Sequence, residues 1–306
     1  MQTRFETIFL GAALFFAGCP LAGAQASCPP PDWPIAELRA LKSDNWKIAD
    51  PDGRQTLALA LLPCLRDTDP ELRDGIAFEA LSSLLRGKLL TPESQTLIYQ
   101  SQIAALDPSL PDAQGFGKPF AALTLSEVAR ADRLVPFLSN AQRAALVEVG
   151  TRYLQGVTDY RGFATGQGWR HGVAHGADLM LQLALNPAVD KTQLERIVRA
   201  VQRQVAPAGE HFYIYGEPDR LVRPIIYAAN RGLLAPVFWS DWLQTLASPA
   251  PLANWELAFQ SQAGLARMHN TKAFLRALDA ALRQHEDAAL NATFATPLAA
   301  ALKQLP

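Results

Sequence analysis

The sequence predicts an all-α fold, and three observations carry that expectation. Apolar residues recur at three- and four-residue steps through most of the chain. Helix start and stop signals separate these stretches. No stretch of strand length alternates apolar and polar residues between turn signals.

In chain order the periodic stretches are GRQTLALALLPCLRD from 53, PELRDGIAFEALSSLLRGKLL from 70, ESQTLIYQSQIAALD from 93 and PFAALTLSEVARADR from 119. AQRAALVEVGTRYLQGV follows from 141, TQLERIVRAVQRQVA from 192 and TKAFLRALDAALRQH from 271. Thr91 precedes Pro92, a favoured first helical residue. Ser139 with Gln142, and Asp190 with Gln193, have capping-box spacing. Gly87, Gly156 and the Asn186–Pro187 pair mark stops. EHFYIYGEPD, residues 210–219, is the one short segment with extended character. Ten or so helices of about 12–18 residues on short connections predict a right-handed array of antiparallel helix pairs. This is a superhelix of the HEAT or armadillo kind, inferred from helix rhythm without a repeating motif. An irregular single-core helical domain is the alternative.

The chain start reads as a secretory signal peptide over residues 1–26. A charged beginning, the apolar run IFLGAALFFAG and the exit site AQA place cleavage near Ala26. A lipoprotein box ending at Cys19 competes, with Phe where Leu is usual. The expected location is therefore periplasmic or secreted, or anchored at Cys19. Residues 27–306 are expected to form a single helical domain. Cys28 and Cys64 remain in that mature chain, and an exported protein meets conditions in which they can form a bridge.

Hydrophobic residues make up 49% and charged residues 19%, as in ordinary globular proteins. The net charge of −1, with both signs interspersed, argues against nucleic acid as a partner. No stretch after residue 26 is apolar enough to cross a membrane.

Chemistry concentrates in RGFATGQGWRHGVAHGADLMLQLA, residues 161–184. Glycines at 156, 162, 166 and 168 mark a loop, and a helix is expected over 168–186. At about 100° per residue, His171, His175 and Asp178 fall within an arc of roughly 60°. Gly172 and Gly176 flank that stripe and allow close approach of a backbone or a ligand.

Three readings of the stripe stand open. His171, His175 and Asp178 can supply three ligands to a zinc-like divalent ion. Without an ion, Asp178 can poise His171 or His175 for acid–base chemistry. The same groups can also serve only to hold the preceding loop. HGVAH has the histidine spacing of metalloprotease helices but lacks their adjacent Glu base. Asp159 and Arg161 precede the loop, and Glu217, Asp219 and Arg220 open a later helix, where helix capping also accounts for acids. His211, Tyr213 and Tyr215 lie just before that helix. FWSDWLQ, residues 238–244, reads as core, with sugar or peptide stacking as the other role. No G-x-S-x-G elbow, phosphate loop or local Cys–His pair is present.

At these residues the chain resembles a bacterial family, the domain-of-unknown-function 2785 family. DYRGF and GWRHGVAHGADLMLQLA carry the resemblance. DPELRDGIAFEALSSLL, KPFAALTLSEVARAD and EPDRL support it, so that it spans about residues 55–235. The resemblance implies a helical fold and no assigned reaction. Its signature positions are Asp159, Arg161, Trp169, His171, His175, Asp178, Glu217 and Arg220. GFGKPFAAL departs from the hydroxyl-rich stretch expected of the family at that point. The resulting expectation is an exported binding or interaction module whose polar cleft, around the 168–186 helix, takes a small ligand or a peptide. A hydrolase-like enzyme using His171, His175 and Asp178, with or without a divalent ion, is the alternative.

Overall fold

The computed structural model describes residues 27–306, so the signal-peptide and Cys19 expectations lie outside the described residues. The described chain is helical, as its periodicity predicts. Twelve α-helices follow one another: α1 (Ile35–Ser43), α2 (Pro51–Ala60), α3 (Glu79–Arg86), α4 (Pro92–Ala105), α5 (Gly117–Leu134) and α6 (Asn140–Gly156), then α7 (Gly172–Ala184), α8 (Lys191–Val205), α9 (Glu217–Asn230), α10 (Pro236–Ala247), α11 (Gln262–Arg283) and α12 (Ala288–Lys303).

Local chemistry sets the starts. The Thr91 hydroxyl accepts from Ser94 N ahead of Pro92 in α4. Ser139–Gln142 and Asp190–Gln193 both form complete capping boxes, which satisfy amides that a helix start leaves unpaired. Two expected helices are wound differently in part. GRQTLALALLPCLRD ends in a 3-10 turn, Leu62–Arg66, because Pro63 cannot continue the α-helical ladder. PELRDGIAFEALSSLL begins as a π-helix, Glu71–Phe78, before α3. Within that wider turn the Gly75 carbonyl accepts from Lys42 Nζ at 2.8 Å.

The helices pack mainly on near neighbours in the chain. α3, α5, α7, α9 and α11 each touch the next of that set, while α4 packs on α5, α6 on α7 and α8 on α9. α7 is central, packed on α5, α6, α8 and α9. Its approach to α6 depends on two glycines. A Cβ at Gly176 would lie 2.9 Å from Leu154 Cδ1, and one at Gly150 would lie 2.9 Å from Leu179 Cδ2. Gly176 therefore serves helix packing and does not open a ligand path. Cys28 and Cys64 are joined, tying the start of the described chain to the 3-10 turn, with Cα atoms 5.2 Å apart. Trp239 and Trp242 of the FWSDWLQ stretch are buried against Phe274 and Phe294, while Asp241 faces solvent.

The sequence shows no strand signal, yet a two-stranded antiparallel hairpin sits in the glycine loop. β1 (Phe163–Ala164) pairs with β2 (Gly168–Trp169). Strands this short carry no alternation to read. Residues 210–216 are irregular and join no strand. Among the described residues, no helix is long and apolar enough to cross a membrane.

Candidate functional site

The site is built on the hairpin and the start of α7. The helix begins at Gly172, later than the expected 168, and this displaces His171. It is the residue before the helix, in a left-handed conformation with φ of 55°. Such a backbone is uncommon for a residue with a Cβ, and it directs the imidazole back toward the hairpin. Trp169 lies flat on it, with ring centroids 4.2 Å apart and planes 5° apart. Phe163 meets the edge of Trp169 at 5.2 Å, and Tyr215 meets it at 5.6 Å.

Gly162 makes room for this cluster. A Cβ there would lie 2.1 Å from the Tyr215 ring. Phe163 is 50% exposed, Trp169 37% and the neighbouring Ile214 69%, so the aromatic cluster faces solvent.

The opposite side of the same segment is buried. His175 meets Phe120 of α5 edge-on at 5.2 Å. Arg73, with no exposed surface, donates to the carbonyls of Gln167 at 2.7 Å and Asp67 at 2.9 Å. Its guanidinium lies 3.9 Å from the Phe116 ring centre. Arg170 stacks on the same ring at 4.3 Å and donates to the Gln114 carbonyl at 2.7 Å. Two arginines and one phenylalanine thus clamp both ends of the hairpin.

The signature residues separate into four local arrangements. Asp159 and Arg161 pair with each other, the Asp159 carboxylate accepting from Arg161 Nε at 2.8 Å. Glu217 is buried and accepts from Tyr215 N at 2.9 Å, so it shapes the turn that opens α9. Asp178 pairs with Arg220 of α9. His171 and His175 remain neighbours, 5.9 Å between ring centroids.

The expected three-ligand set does not form. Among the described residues, no three His, Cys, Asp or Glu side chains are grouped to hold an ion. The physical reason has two parts. His171 is the N-cap in a left-handed conformation, with its ring stacked on Trp169, and Arg220 occupies the Asp178 carboxylate. Asp178 therefore does not poise an imidazole either.

Electrostatics agree with that geometry. Burial, with a smaller contribution from the Arg220 charge, lowers the His171 pKa to about 4. Burial, His171 and Arg220 together hold His175 at about 3. Both are neutral at pH 7. Burial raises the Asp178 carboxyl against the opposing pull of Arg220. The Nδ1 atoms of both histidines are buried without a hydrogen-bond partner.

A separate cleft of about 260 Å³ opens on the far side of the segment, where Gly172, Asp159 and Val157 face Tyr153 and Lys118. His171, His175 and Asp178 are not in its lining. Asp112 in its wall is already engaged, accepting from Gly117 N at 3.1 Å and Lys118 N at 2.8 Å.

Sequence reasoning missed Arg73, Arg170, Phe116 and Phe120. Arg73 carried one usable signal, since it falls on the apolar stripe of Ile76, Ala77 and Ala80. A cation on a buried stripe needs partners. Tyr215 was named only as a neighbour, and its contact with Gly162 spans too much chain for spacing to suggest.

Together these features define a class of protein: an all-α scaffold presenting one short, aromatic-bearing hairpin. More particularly, the chain belongs to the family described as protein of unknown function (DUF2785), whose model matches residues 111–279. That match covers the hairpin, α7 and α9. No curated protein and no solved structure matches the chain.

Proposed function

We propose that this protein is an exported binding module whose recognition surface is the Trp169 platform. The observation that carries the reading is the exposed Trp169–Phe163–Tyr215 cluster, held from below by buried arginines. Exposed apolar patches on soluble domains mark interaction sites. Flat aromatic faces flanked by polar groups suit a ligand with one apolar face and hydroxyls at its edge, such as a sugar ring. The Cys28–Cys64 bridge supports export, because such bonds persist in oxidising compartments.

Hydrolysis through these imidazoles is disfavoured. A general base works best with a pKa near the working pH, and values of about 4 and 3 lie well below it.

The test is a titration of the mature protein with a panel of soluble oligosaccharides, followed by tryptophan fluorescence and by calorimetry. Wild-type protein is expected to bind at least one member, and Trp169→Ala to lose that binding while staying folded. Equal binding by the variant would move the site elsewhere. Release of shorter sugars during the titration would restore the enzyme reading.

A further inference from the structure

A second cavity, lined by no hairpin residue, holds three cations and no acid in its lining. It has a volume of about 330 Å³ and lies between α8, α10 and α11. Arg199, Gln202 and Arg203 line it from α8, Thr245 from α10, and Arg267 and Thr271 from α11. No carboxylate is in the lining. Elsewhere on these helices, Arg196, one turn earlier on α8, pairs with Glu148, and Arg283 on α11 pairs with Asp279.

Arg267 is the most constrained of the three. Its Nε is buried with no hydrogen-bond partner, and Nη1 has only a long contact of 3.4 Å to the Ala206 carbonyl. Burial alone lowers its pKa, with no neighbouring acid acting in the other direction. A buried donor without a partner costs about 1–3 kcal/mol. It is tolerated where a ligand completes it. Arg199 is steered by the Phe238 ring, 5.9 Å below its guanidinium.

We propose that Arg199, Arg203 and Arg267 form a binding site for a tetrahedral oxyanion, in the form of phosphate or a small phosphate ester. Guanidinium groups present planar paired donors that match phosphate oxygens, and an arginine keeps its charge at all physiological pH values. Gln202, Thr245 and Thr271 add neutral donors around the rim.

Calorimetric titration in a phosphate-free buffer at constant ionic strength tests the site. The probes are inorganic phosphate, pyrophosphate and glucose 6-phosphate. Wild-type protein is expected to bind at least one probe at a single site. Arg203→Gln and Arg199→Gln are each expected to weaken it roughly tenfold, since hydrogen bonds to charged groups are of that strength. Both side chains are exposed, so folding is preserved in these variants even if Arg267→Gln proves unstable. Arg196→Gln, outside the cavity, is expected to bind as wild type does. Tighter binding of glucose 6-phosphate than of phosphate supports an ester as the occupant, and the reverse order supports the free anion. Failure to bind any probe, or equal binding by the Arg199 and Arg203 variants, overturns the proposal. Neither result touches the Trp169 platform.

Discussion

The two sides of the segment from Gly162 to His175 use similar residues to opposite ends. On the inner side, Arg73, Arg170, Phe116, Phe120 and His175 are buried, and the arginines are spent on backbone carbonyls. On the outer side, Phe163, Trp169, His171 and Tyr215 stack on one another and leave aromatic surface in water. Cations placed under aromatic rings hold the loop, while rings placed on rings display it. Rigidity below is what makes an exposed platform useful, because a preordered surface loses less entropy when a ligand settles on it.

The sharpest way to break this contrast is Arg73→Ala. It strands the Gln167 and Asp67 carbonyls and leaves Asp74 without its partner. The expected loss is about 3–5 kcal/mol in urea denaturation. A loss below about 1 kcal/mol would mean that the inner side is not structural.

Acid is the next largest effect. His175 has a folded pKa of about 3 against 6.5 for the free side chain, so the unfolded chain binds its proton first. Its contribution is complete above about pH 6.5 and is lost progressively as pH falls toward 3, on the order of 5 kcal/mol in all. Burial raises the pKa of Asp74, Asp178 and Glu217, and those contributions run in the opposite direction. The histidine effect is therefore read as a difference. His175→Gln is expected to flatten the fall of melting temperature between pH 6.5 and 4.5, and an unchanged slope would contradict the burial of this imidazole.

Gly162→Ala tests the seam between the two sides. The added methyl would meet the Tyr215 ring at 2.1 Å, and the expected cost is about 1–3 kcal/mol. Near-ultraviolet circular dichroism is expected to change as Tyr215 leaves Trp169. The smallest effect on stability belongs to Trp169→Ala, under about 1 kcal/mol because the ring is partly exposed and lies on the surface. A large loss there would show that the platform belongs to the core.

Much of the fold was legible because helical signals are local. Thr91, Ser139 with Gln142, and Asp190 with Gln193 act within one turn of their own positions, and each caps as expected. The family was legible for a similar reason, since GWRHGVAHGADL is one contiguous run. The histidine stripe lies at the start of α7, where partners far along the chain set its geometry. One residue, His171, leaves the helix, and Asp178 turns to a partner 42 residues away.

What the sequence determined by itself is the helical class, the capped starts and the segment where unusual residues gather, because 3.6-residue periodicity and capping act over a few neighbours. Tertiary structure alone decided which ring faces water and which charge meets which. Arg73 reaches Gln167 across 94 residues, and Gly162 makes room for Tyr215. Contacts of that span form only when helices pack, and packing is set by the shapes of surfaces that no local pattern encodes.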